Sequence, residues 1–339
     1  MEGGWFMQPR QPIRSSTRRS SRPKGLTIIE LLVTMGILAI ILGASFSLVI
    51  SNRRIYQIDQ SRTAINQNLR SGMDILAADV RQAGERLSVS GTLPLLEVIN
   101  AAGATPETLV IRRNLSDTIL PVCADVATNA TSITVAFAPG SPNTTPAECV
   151  FKDNGSPTNP TAPNGTADNV DDWRTYRLAQ TGGTRAFIWD PVLKQGEFFT
   201  YTGETPTAIT KNNVNLTYAY PRANQPVVYL LEEKRYSVNN GILQVVKNGV
   251  VSNPDQIIDR VSDFQIQATL TYTKNSVTTT TTLDTLGPTT TWTTQGTTLV
   301  AWQYLTAVNI TLTGSATVQG RTVTRSLSDR LFPRNMLSQ

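Results

Sequence analysis

The chain contains no histidine, and only two of its 339 residues are cysteine. Without an imidazole there is no Ser-His-Asp triad, no Cys-His pair and no His-ligated zinc, and the commonest general base near neutral pH is missing. Two thiols are too few for a four-thiolate zinc or iron–sulfur centre. Charged residues are also sparse, at 16%, while 40% of positions are hydrophobic. That balance suits a packed body and not a disordered tail. A non-enzyme is expected, with no cofactor and no metal.

Proline is missing from residues 26–50, and so is charge from Leu31 to Ile50, a run of twenty uncharged residues. At about 1.5 Å per residue such a run spans one bilayer core as a helix. Basic residues crowd in front of it: Arg10, Arg14, Arg18, Arg19, Arg22 and Lys24, against the single acid Glu2. Residues 1–25 thus hold six of the chain's 30 basic groups and one of its 25 acidic ones, so the remainder is neutral and the net charge of +5 belongs to the leader. A whole-chain basic field for nucleic acid is then lacking, and direct nucleic-acid binding is disfavoured. The same asymmetry puts the N-terminus in the cytoplasm and the bulk of the chain outside.

A secretory signal has a short apolar region followed by a small-residue cleavage site. Here the basic region meets Gly25 directly, the apolar run is of full spanning length, and the carboxylate of Glu30 lies near its start. This order fits a cut on the cytoplasmic side that releases the basic arm and keeps the helix. A carboxylate at the edge of an apolar span is costly unless paired. It either stays near the headgroups or finds a cation.

The segment Gly25-Leu26-Thr27-Ile28-Ile29-Glu30-Leu31-Leu32-Val33, preceded by Lys24, resembles the class III signal of type IV pilins and type II secretion pseudopilins. The resemblance implies that prepilin peptidase cuts after Gly25 and that Leu26 becomes the N-methylated terminus. It also implies that Glu30 pairs with the N-terminal amine of a neighbouring subunit during assembly. Major pilins of that family carry a proline in the membrane half of the helix, which is absent here. The long leader and large body look more like a minor subunit.

After the span, Ile55, Ile58, Ile65, Leu69, Met73, Leu76 and Val80 recur at helical spacing, which predicts one apolar stripe. Arg53, Arg54, Asp59, Arg62, Arg70, Asp74, Asp79 and Arg81 mark the polar faces, and Gly84 is a plausible left-handed stop. One helix from Leu26 to about Ala83 is the economical reading.

Beyond Leu93 the pattern turns to short β-type runs: Thr108–Arg112, Ser132–Phe137, Arg185–Trp189, Glu197–Tyr201, Val214–Tyr220 and Val227–Leu231. A hairpin is expected at Tyr236–Val245 about Asn239-Asn240-Gly241, with later strands at Asp263–Tyr272, Val300–Thr313 and Thr322–Leu327. Residues 141–172 and 274–295 are expected as loop insertions, the Thr-rich second one being either an extended hairpin or an exposed loop.

Cys123 and Cys149 lie 26 positions apart in a body that should face an oxidising compartment, which predicts a disulfide. Asp153-Asn154-Gly155 and Asp168-Asn169-Val170-Asp171-Asp172 offer oxygen ligands for calcium, but match no EF-hand and serve turn chemistry equally well. Trp173, Trp189, Trp292 and Trp302 would be either core residues or a stacking surface for single-stranded DNA.

The expected fold is α+β: a long N-terminal helix, transmembrane half then amphipathic half, packed on a C-terminal antiparallel β-rich pilin-like domain. The expected parts are a leader at 1–25, a transmembrane half at 26–50, an amphipathic half at 51–84 and a globular domain at 85–339. More loosely, the body resembles PilW-type minor pilins and the J-type minor pseudopilin of type II secretion. The residues concerned are Arg81–Gly84, the Tyr236–Val246 hairpin and the strand Tyr304–Leu312. That likeness implies a non-catalytic minor pilin that joins or primes a type IV pilus near its tip. A minor pseudopilin and a pilus-displayed adhesin or DNA receptor are the alternatives. Implied partners are other major and minor pilins, prepilin peptidase, the inner-membrane pilus assembly machinery and, before assembly, the lipid bilayer. The implied location is the bacterial inner membrane, then the surface or periplasm within a filament.

Overall fold

A computed structural model describes residues 25, 27–87, 93–100, 107–143, 146–154, 163–179 and 184–336. Helix α1 is Ile28–Gln82, followed by strands β1 (Leu96–Ile99), β2 (Thr108–Asn114), β3 (Leu120–Pro121) and β4 (Ser132–Thr134). Next come α2 (Asp168–Leu178), β5 (Thr184–Asp190), β6 (Gln195–Thr205), β7 (Ala208–Lys211) and β8 (Val227–Tyr229). They lead to β9 (Leu231–Asn239), β10 (Ile242–Lys247), β11 (Asp255–Ile258), β12 (Val261–Lys274) and β13 (Val277–Leu283). β14 (Thr291–Thr294), β15 (Thr297–Val300), β16 (Leu305–Val318) and β17 (Arg321–Leu331) close the order. A long helix on an antiparallel β-rich domain is an α+β fold. The chain divides between Tyr56 and Gln57 into two units.

In the first unit, every helical residue from Ile28 to Tyr56 is exposed. The helix is long and apolar enough there to cross a membrane by length and composition. Ile55 belongs to this exposed part (56%), so the expected stripe is one residue shorter than its spacing suggested.

In the second unit the stripe starts at Ile58, and Ile65, Leu69, Met73, Leu76 and Val80 join the largest core. Two sheets, ordered β1-β2-β9-β10-β11 and β13-β12-β16-β17, supply much of the rest of that core, and β5, β8, β14, β15 and the Ala301–Tyr304 turn add to it. Contact is close at Gly314 of β16, where an added Cβ would stand 2.7 Å from Ile65 Cγ2. A side chain at 314 would push helix and sheet apart. The helix stops where Gly84 turns left-handed at φ +76, and its N–H donates to the Arg112 carbonyl (2.8 Å). That bond ties the helix end to β2.

β14 and β15 pair with each other, and the other six strands form a sheet ordered β3-β8-β5-β6-β7-β4, with α2 helping to build a second core. Strand β5 is buried on both faces. Phe187 and Trp189 enter the first core, Ala186 and Ile188 the second. This period-two division makes β5 the wall between the cores.

Several local expectations are corrected. Val214–Tyr220 is not a strand; it retains a single bridge, Val126 to Tyr220. Val300–Thr313 is interrupted by a 3-10 turn at Ala301–Tyr304, which buries Trp302. The loop expected at 141–172 contains a 3-10 turn at Ala147–Cys149 and the first five residues of α2. There the polar run Asp168–Asp172 is the opening of a helix, where acidic residues suit the positive helix end. The Thr-rich 274–295 stretch is the hairpin alternative, β12 turning at Asn275-Ser276 into β13.

Candidate processing and assembly segment

Gly25 and Thr27 precede the helix, while Lys24 and Leu26 lie outside the described residues. The helix begins at Ile28 because Thr27 caps it. The Glu30 N–H donates to Thr27 Oγ1 (3.3 Å), and the Thr27 hydroxyl donates to the Glu30 carboxylate (3.4 Å). Thr-x-x-Glu is the pattern of a capping box, and it places the Glu30 carboxylate at the positive end of the helix. Thr27 was legible in the sequence from this spacing alone, and motif reading centred on Glu30 passed over it. Within the apolar run, Thr34 Oγ1 donates to the Leu31 carbonyl (2.9 Å) and Ser45 Oγ to that of Ile41 (2.8 Å). Both hydroxyls are thereby satisfied inside the helix, as a lipid surrounding requires.

Toward its other end the helix carries a charge that its pattern placed on a polar face. Asp79 is buried; Lys234 Nζ donates to its Oδ1 (2.8 Å) and the Tyr236 hydroxyl to its Oδ2. Burial and the neighbouring Asp79 carboxylate push the Tyr236 hydroxyl far above the ordinary tyrosine value. Alongside, the register sets Arg112 opposite Glu233 and Arg113 opposite Glu232. Arg112 is buried, with Nε on Glu233 (2.7 Å) and Nη1 on Glu97 (2.7 Å) and the Pro94 carbonyl (3.0 Å). Burial alone would raise the Glu233 carboxyl, but Arg112 and Arg235 reverse that and hold it below the usual range. The signal for this belt was the pair Arg112-Arg113 facing Glu232-Glu233 across two strands.

Cys123 and Cys149 form a disulfide with Cα atoms 5.7 Å apart, and with Phe137 they make a small third core. The four tryptophans named above are all buried, Trp173 and Trp302 almost completely, and Trp173 Nε1 donates to the Thr118 carbonyl (2.9 Å). They are packing residues, and a DNA-stacking surface gains no support from them. At the calcium candidates, Asp168 accepts the Asn154 backbone and side-chain N–H groups (both 2.8 Å). Asp153 accepts from the Asn164 and Gly165 N–H groups (3.1 and 2.7 Å), and Asp172 from the Thr118 hydroxyl (2.6 Å). Gly155 lies outside the described residues. These contacts follow the turn chemistry, and no group of three or more ligating side chains able to hold a metal ion occurs among the described residues.

Against known families, residues 20–46 match the prokaryotic N-terminal methylation motif. The match supports a type IV pilin-like protein. It covers the expected cleavage junction, the capping box and the first sixteen of the twenty residues of the apolar run, and leaves the β-rich body untouched. No curated protein and no solved structure matches the chain. A class III signal on an exposed apolar helix implies membrane anchoring before assembly, processing by prepilin peptidase and assembly with pilins.

Proposed function

We propose that the chain is a non-catalytic minor pilin that joins or primes a type IV pilus, near its tip. Prepilin peptidase removes residues 1–25, Leu26 becomes the methylated N-terminus, and Glu30 guides the helix into the filament. The methylation motif over residues 20–46 carries this reading, because it continues into a helix that presents apolar side chains on every side. Such a helix is at home in two places, a bilayer and the apolar centre of a filament. A large β-rich body beyond it suits a subunit that ends or starts a filament more than one that repeats along it.

The capped Glu30 fits the assembly role. In a single subunit the Thr27 hydroxyl and the helix end stabilise its carboxylate; in a filament, a neighbour's N-terminal amine would replace them. Intact mass measurement in cells with active peptidase should show a chain beginning at methylated Leu26, and retention of Met1 would overturn the reading. Glu30→Val removes the carboxylate but keeps the membrane span. It should be processed normally, remain in the inner membrane and be missing from sheared filaments.

A further inference from the structure

Glu107 stands just before β2 and completes the free side of β12. Its N–H donates to the Phe264 carbonyl (3.3 Å), and the Ile266 N–H donates to its Oε2. β13 pairs with β12 only from Ala268 to Lys274, so Glu107 gives the preceding residues what a neighbouring strand gives the later ones. Glutamine would accept the Ile266 bond equally well, without the cost of a buried charge. The hydrogen bond explains an acceptor at 107. It does not explain a carboxylate.

Three of the other buried carboxylates are compensated by cations or several donors, and Asp171, which takes the Asn164 amide, lies in the positive first turn of α2. Glu233 has Arg112 and Arg235, Asp79 has Lys234 and Tyr236, and Asp190 accepts two backbone N–H groups and the Asn224 amide. Glu107, 4% exposed, has no cation among the described residues, and its Oε1 has no hydrogen-bond partner there. Burial pushes its carboxyl up, the Ile266 N–H draws it part of the way back, and Asp284 and Asp263 push it further up. Residues 88–92, 101–106, 144–145, 155–162, 180–183 and 337–339 contain no Lys or Arg.

Glu107 opens onto a groove lined by Asn100, Gln265, Gln267, Asp284, Asn309 and Thr311. Each of these carries an acceptor oxygen, and none is basic. Asp284 takes the Gln267 amide on Oδ1 (2.9 Å), while its Oδ2 has no partner among the described residues. A divalent ion is a poorer match, since only Glu107 and Asp284 of the lining are carboxylates and no group of three His, Cys, Asp or Glu able to hold a metal occurs among the described residues. A guanidinium fits better: five N–H donors in a planar fork, no acceptor, and weak hydration that tolerates burial. We propose that this groove receives an arginine side chain from a partner protein, which engages Glu107 and Asp284 and supplies the cation that Glu107 lacks among the described residues. The proposal stands on the β-rich body alone and does not depend on N-terminal processing.

The test uses the full chain in detergent micelles, titrated with N-acetyl-arginine-methylamide and followed by NMR. Saturable millimolar binding is expected. Glu107→Gln and Asp284→Asn should each weaken it about tenfold, the loss of one charge-assisted contact. The Glu107→Gln thermal midpoint should equal or exceed that of the parent chain, because the Ile266 bond survives and the unpaired charge is gone. Lack of saturation, equal binding by the variants, or displacement of the probe by calcium would each overturn the proposal. A lowered midpoint in Glu107→Gln would do so too, by showing that the charge is structural.

Discussion

The two halves of α1 have the same backbone and opposite surroundings. From Ile28 to Tyr56 all side chains are exposed, apolar ones included; from Ile58 onward one face is buried and the other is charged. The first half needs only composition, because a helix satisfies its own backbone and lipid accepts apolar side chains on all sides. The second half needs a period, because water takes one face and a protein core the other. The difference teaches that a residue's worth depends on which solvent its half was built for. Leucine in the first half is interchangeable with other apolar residues, whereas leucine in the second occupies a shaped place.

The sharpest way to break this contrast is Leu76→Ala. Leu76 is fully buried, so its truncation should cost roughly 2–5 kcal/mol in transfer and cavity terms. Urea unfolding of the detergent-solubilised chain would measure it. Asp79→Ala comes next, at about 2–3 kcal/mol, because Lys234 and the Tyr236 hydroxyl lose their shared carboxylate in a largely buried place. The Lys234→Met, Asp79→Leu pair should recover part of that loss, and if it does not, the contact is more than an ion pair.

Acid titration should have a smaller effect. The folded Glu233 carboxyl lies below the unfolded value of about 4.3, so its contribution is complete above that pH and lost as pH falls through the folded value. Unfolding midpoints measured from about pH 5 down to about pH 2 should flatten in Glu233→Gln. Smallest of all is Leu38→Ala in the first half. It should move the unfolding of the body by less than about 0.5 kcal/mol, because Leu38 is exposed and belongs to the other unit. A loss comparable to Leu76→Ala would abolish the distinction between the halves.

Legibility follows the same divide. Local patterns carried the span, the stripe from Ile58 to Val80, the Gly84 stop, the Asn240-Gly241 hairpin and the Cys123–Cys149 bond. Each depends on neighbours in sequence, or on a count with one solution. Val214–Tyr220 misled because its apolar residues line the second core from an irregular segment. Leu216 and Tyr220 are buried there, with the isolated bridge between Tyr220 and Val126 in place of a strand pairing. Asp168–Asp172 misled because turn residues and helix-opening residues are the same chemical types.

At the candidate segment, the proposed cleavage junction and the proposed role of Glu30 rest on a short motif, while the Thr27 cap follows from its spacing to Glu30. The membrane-ready half was fixed by sequence alone, since no distant residue is needed to satisfy it. Tertiary structure decided what depends on residues far apart in the chain. It buried Asp79 against a strand 155 residues away, placed the two larger cores of the β-rich body on either side of β5, and set Glu107 beside two carboxylates with no ion pair among the described residues. In each case the energy of a charge or a side chain depends on what the fold brings opposite it, and a linear pattern carries only what lies alongside.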